Sequence, residues 1–152
     1  MTKRMPGRGQ KGFTIFELIV VLAIIGILAG VLYPKLQNRE VAAKLQAVEM
    51  DMLRIYESCE AWKANRGQPN FEGLTYDKLN TAGLWNTAKT NPWGGTYSIA
   101  VNNTGGPSFS VLVYSGAIAD AEIQSALQAR LSNKKYTTGI DASKGVWFRA
   151  PY

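Results

Sequence analysis

The sequence predicts an α+β fold: a long N-terminal helix, half transmembrane and half amphipathic, packed on a small antiparallel sheet. Three observations point there. An uncharged apolar run, LIVVLAIIGILAGVLY, fills Leu18 to Tyr33. An apolar residue then recurs every three or four positions from Val41 to Trp62. Beyond residue 90 the pattern changes to alternation, first at Tyr97, Ile99 and Val101 and then at Phe109, Val111 and Val113.

Extended back to Phe13, the apolar run covers 21 residues and is interrupted only by Glu17. As a helix rising ~1.5 Å per residue it spans roughly 30 Å, about one hydrocarbon core. Lys3, Arg4, Arg8 and Lys11 precede it and the first 12 positions contain no acid, which predicts a cytoplasmic N-terminus with the rest of the chain outside. A secretory signal peptide has the same outline. Against that reading, Glu17 places a carboxylate where it is costly and usually functional. The run is also longer than most signal-peptide cores, and Ala29-Gly30-Val31 is a poor cleavage site. Gly26 and Gly30 have the small-xxx-small spacing that permits close helix approach. Pro34 closes the run and is expected to kink or locally melt the helix.

Composition narrows the chemistry. The chain has 17 basic and 11 acidic residues, for a net charge of +6, but without the first 12 positions the balance is 13 to 11. A charge of +2 on the remainder is a weak footprint for nucleic acid. Lys134, Lys135 and Lys144 are read as charges at a helix end or in water, and direct nucleic-acid binding is not expected. Cys59 is the only cysteine, so no intramolecular disulfide can form, and there is no histidine. The commonest acid–base catalyst and the commonest metal ligand are thereby removed. No Walker-type or GxGxxG loop is present. The expectation is a protein that is not an enzyme and carries no cofactor or metal.

After Pro34 the stripe Val41, Leu45, Val48, Met52, Ile55, Cys59 and Trp62 defines one apolar helical face. Lys44, Gln46, Glu49, Asp51, Arg54, Glu57, Glu60 and Lys63 lie between and read as solvated. The stripe suits a helix lying on a sheet better than a coiled coil, which makes Cys59 and Trp62 core residues. The helix is predicted from about Phe13 to Arg66, with Gly67 and Pro69 stopping it. Residues 67–93 read as a connector with a short helix near Thr75 to Leu79. Asn91 to Gly95 (NPWGG) is a turn, and the two alternating segments form a hairpin around the loop Asn102 to Pro107. Ala119 to Leu131 is predicted helical, capped by Asp120, with Ile123, Leu127 and Leu131 on one face. Gly145 to Ala150 is the third and last strand.

The stretch KGFTIFELIVVLAIIGILAG resembles the class III signal of type IV prepilins and pseudopilins. That resemblance implies that a membrane-embedded prepilin peptidase cuts after Gly12 and methylates the new N-terminal residue, Phe13. Thr14 matches the family as well, and Glu17 falls fifth from Phe13, where the family carries its glutamate. Gly26 and Pro34 resemble its helix-softening positions. The implied organisation is a cleaved leader (1–12), a transmembrane and assembly helix (13–34), its amphipathic continuation (35–66) and a globular head (67–152). The segment NPWGGTY resembles the Pro-Trp-Gly turn of several pilins and pseudopilins. A helix between the later strands is more like type IVb pilins, whereas the Phe13 start is more like type IVa pilins or pseudopilins, and the C-terminal cysteine pair usual in type IVb is lacking.

The implied function is a structural subunit of a type IV pilus. Its implied partners are other copies of itself, the prepilin peptidase, the inner membrane with the pilus assembly platform, and minor pilins. The precursor then sits in the inner membrane and the filament outside it. The alternative is a pseudopilin of a type II secretion system. Major pseudopilins typically bind calcium through acids in a late loop, and here the tail TTGIDASKGVWFRAPY offers only Asp141, too few for an oxygen cage. In either case cleavage leaves a cationic amine at Phe13, one helical turn from the Glu17 carboxylate. Neither charge is comfortable in a bundle of low dielectric unless paired, so the amine of one subunit is expected to meet Glu17 of its neighbour and set their register.

Overall fold

The computed structural model describes residues 12–102, 110–134 and 136–150. The leader up to residue 11, the loop 103–109 with Phe109, Lys135 and residues 151–152 lie outside that description. Among the described residues seven elements occur: α1 (Ile15–Asn65), α2 (Tyr76–Thr81), β1 (Ser98–Asn102), β2 (Ser110–Tyr114), α3 (Ala121–Ser132), β3 (Thr137–Asp141) and β4 (Gly145–Arg149). The strands form one antiparallel sheet in the order β1-β2-β4-β3. The chain divides into two compact units, Met1–Glu40 and Val41–Tyr152.

In the first unit the apolar side chains of α1 are exposed among the described residues. Leu18 to Leu32 are exposed throughout, and an 18-residue window of this helix, with a mean hydropathy of 2.9, is wholly unburied. That much exposed apolar surface calls for a non-aqueous neighbour. The helix is long and apolar enough to cross a membrane. It is also helical without interruption through Gly26 and Pro34, so the local melting expected at Pro34 is not found. The missing N–H of a proline removes a single i→i−4 hydrogen bond, and the rest of the ladder holds the turn.

In the second unit the stripe is the core. Val48, Met52, Ile55 and Cys59 are fully buried, with Leu45 and Trp62 nearly so. They join Val111 and Val113 of β2, Val146 and Phe148 of β4, and Leu127 and Leu131 of α3 in one cluster. The helix-on-sheet reading is correct. Val41 departs from it: at 36% exposed it lies before the covered region. The β1–β2 hairpin pairs Ile99 with Val113 and Val101 with Val111, and Asp120 caps α3 by accepting from the Glu122 and Ile123 amides.

Two expectations need correction. Gly145–Arg149 is the fourth strand rather than the third, because Thr137–Asp141 forms a hairpin with it. Two threonines and a glycine make β3 weakly apolar. The glycine is required, because a Cβ on Gly139 would collide with the Trp147 indole directly across the ladder. Second, Glu49 and Asp51 are not solvated but 5% and 6% exposed. They flank the stripe, and cations from other segments reach them. Glu49 pairs with Arg130 at 2.9 Å and Lys134 at 2.5 Å, tying α1 to the C-terminal end of α3. Asp51 pairs with Lys89 at 2.6 Å and accepts from the Tyr97 hydroxyl at 3.1 Å.

Burial alone would raise the Glu49 pKa, but hydrogen bonds and charge from Lys134 and Arg130 outweigh it and hold the carboxyl below its ordinary value. A carboxylate depressed in the folded state contributes stability that is complete above its unfolded pKa, ~4.3, and is lost as pH falls through the folded value. Glu49→Gln should therefore destabilise the head by about 1–3 kcal/mol at neutral pH. The penalty should shrink as the solution is acidified below ~4, which thermal melts across pH will show.

Candidate assembly site at the start of the first helix

The first turn of any helix leaves backbone N–H groups without partners, and α1 begins in a segment with few polar side chains. Thr14 and Glu17 supply the remedy. The Thr14 hydroxyl oxygen accepts from the Glu17 amide at 3.2 Å, while Glu17 Oε2 accepts from the Thr14 amide at 2.9 Å and from the Thr14 hydroxyl at 3.0 Å. This is a capping box, with Thr14 at the N-cap and Glu17 three positions on. The carboxylate also faces the positive end of the helix dipole. Among the described residues no cation pairs with Glu17.

Gly12 and Phe13 precede the helix and are exposed, Phe13 by 79%. Gly26 and Gly30 stand within α1, and a Cβ at either would meet nothing. No contact among the described residues gives a reason for glycine there, whereas a closely approaching second helix would. Of the residues singled out in the N-terminal signal, the structure joins Thr14 and Glu17 by hydrogen bonds. The cap itself was missed, although Thr-x-x-Glu before an apolar run is its sequence signature.

Elsewhere the candidate residues have structural work. Cys59 is buried and free, and burial pushes its thiol up to about 12. Lys134 is engaged by Glu49, and Lys144 Nζ lies 5.0 Å from the centre of the Tyr114 ring. The Asp141 carboxylate is taken up by its own turn, accepting from the Ser143 amide and hydroxyl and the Lys144 amide at 2.8–2.9 Å. Among the described residues no three His, Cys, Asp or Glu side chains gather.

A family model described as the prokaryotic N-terminal methylation motif matches residues 7–33, the segment that contains this cap. The chain is 34% identical over 106 residues to a type IV major fimbrial protein FimA of Dichelobacter nodosus, covering 63% of this chain and 67% of that one. It is 32% identical over 102 residues to the type II secretion system core protein G of Escherichia coli, covering 58% and 70%. The chain belongs to the type IV pilin and pseudopilin family. Core protein G of Pseudomonas aeruginosa is a further relative of this pilin-like chain, 28% identical over 116 residues that cover 68% and 82%. No solved structure matches the chain. The family is structural, not enzymatic, and its long helix packed with a small antiparallel sheet is the fold found here.

If the capping box orders the start of α1, Thr14→Ala should cost that turn about 0.5–2 kcal/mol while Thr14→Ser costs little. Amide hydrogen exchange in micelles should accelerate at residues 15–18 in the first variant only.

Proposed function

We propose that this chain is a structural subunit of a type IV pilus, cut after Gly12, methylated on Phe13, and assembled from the inner membrane by packing α1 against its copies. The observation that carries the reading is the exposed apolar half of α1, whose first turn holds a capped glutamate shortly after a Gly-Phe junction. Such a helix leaves lipid only if other apolar helices replace the lipid around it. Filament growth is then a transfer between two apolar media, and hydrophobicity alone gives it no direction.

Direction and register come from charge. Cleavage creates a cationic amine at Phe13, and the neighbour's Glu17 is the acid that meets it. The capping box supports this role, because Thr14 satisfies Glu17 with neutral donors and leaves its negative charge uncompensated among the described residues. An ion pair formed on assembly supplies the opposite charge that the described residues do not bring to Glu17. Gly26 and Gly30 allow close helix contact, and Pro34, by its missing hydrogen bond, is where the helix stretches in the filament.

A pseudopilin of a type II secretion system is the second reading, favoured by the 82% coverage of the Pseudomonas aeruginosa core protein G. The same anchor serves both. The commitment of Asp141 to its own turn weighs toward the pilus. Deleting the gene separates the two: surface fibres disappear in the first case, and secreted proteins accumulate in the periplasm in the second.

Intact-mass measurement of the protein from membranes tests the processing step. The expected species begins at Phe13 and carries one added methyl group; a chain retaining Gly12 contradicts the proposal. Glu17→Val should insert into the membrane normally yet give no filaments by electron microscopy, and ordinary filaments from that variant would count against the ion-pair role.

A further inference from the structure

We propose that a cleft on the head, beside the Asn91–Gly95 turn, binds an uncharged sugar ring. The cleft has a volume of about 410 Å³ and is lined by the half-buried Trp93 together with Gly95, Ala117, Gln124, Ala142 and Gly145. That is a size suited to a small ligand. All of its atoms come from one copy, so the inference goes beyond the filament reading and does not depend on it.

Three backbone segments meet at the cleft, and buried polar groups join them. Asn91 is 3% exposed. Its Oδ1 accepts from the Trp93 and Gly95 amides at 2.8 and 3.0 Å, and its Nδ2 donates to the Ser115 carbonyl at 2.8 Å. The Ser115 hydroxyl oxygen in turn accepts from the Val146 amide at 3.0 Å. Backbone approaches backbone so closely that a Cβ on Gly95 would strike Ala117, and one on Gly145 would strike Gly116. The site is therefore formed before any ligand arrives, which lowers the entropy lost on binding.

The lining selects the ligand class. No charged side chain lines the cleft among the described residues, so an ion entering it would lose hydration without gaining a countercharge. A purely apolar ligand would strip water from peptide groups and the Gln124 amide and return no hydrogen bonds. A pyranose meets both constraints. Its C–H face can lie on the Trp93 indole, whose π-cloud attracts the weakly positive hydrogens, while its hydroxyls can both donate to and accept from the peptide groups. Gln124 is already oriented, with Nε2 donating to the Ile118 carbonyl at 2.5 Å.

The test uses the full-length protein in phosphocholine micelles, which carry no sugar headgroup. Saturation-transfer difference NMR is recorded with the methyl glycosides of glucose, galactose, mannose and N-acetylglucosamine. At least one should receive transfer at its C–H protons. Trp93→Ala should weaken that binding about tenfold or more, and Ala142→Trp, which fills the cleft, should abolish it, with thermal melts showing that both variants remain folded. The inference is overturned if none of the four receives transfer, or if either folded variant binds as well as the parent.

Discussion

A carboxylate three residues into α1, at the head of an apolar run, constrains everything around it. In water Glu17 would be unremarked. In a medium of low dielectric an ionised carboxylate is tolerated only with hydrogen bonds and an opposite charge within reach. The chain supplies the hydrogen bonds itself, from the Thr14 amide and hydroxyl. The opposite charge, on our account, comes from the freshly cut terminus of another copy. Glu17 holds the first helical turn in the isolated subunit, and on our proposal the same residue marks the register in the assembled one.

From that constraint follows the division of labour along α1. Its early apolar face is left open, with glycines at 26 and 30 that no contact among the described residues explains. Its later part is buried on one side and anchored on the borders of that side by ion pairs: Glu49 to Arg130 and Lys134, Asp51 to Lys89. Removing a stripe residue such as Met52 would open a cavity in the head, whereas the open face becomes packed only when neighbours arrive. On our proposal one helix therefore belongs to two cores, one completed by its own chain and one by other copies.

Much of this was legible in the residues. The period of the stripe gave α1, Asp120 with Ile123, Leu127 and Leu131 gave α3, and alternation gave the first hairpin. What was hidden depended on partners distant in sequence. Strand β3 carries too little apolar character to announce itself, and its Gly139 makes sense only once Trp147 lies over it. Glu49 and Asp51 looked solvated because their cations, 81 and 38 residues further on, are brought in by the fold. The Thr14–Glu17 cap was written in local spacing and needed only the right template. The cleft beside Trp93 rests on backbone contacts between three segments, which no periodicity encodes.

The central claim is that one copy's terminal amine neutralises another copy's Glu17. A cryo-electron-microscopy reconstruction of the assembled fibre, at a resolution that shows side chains, tests it most directly. The account predicts the methylated Phe13 nitrogen of one subunit about 3 Å from a Glu17 oxygen of its neighbour, the distance of a charge-assisted hydrogen bond. A fibre in which every Glu17 faces solvent, or touches only its own Thr14 while the amines lie elsewhere, would contradict it.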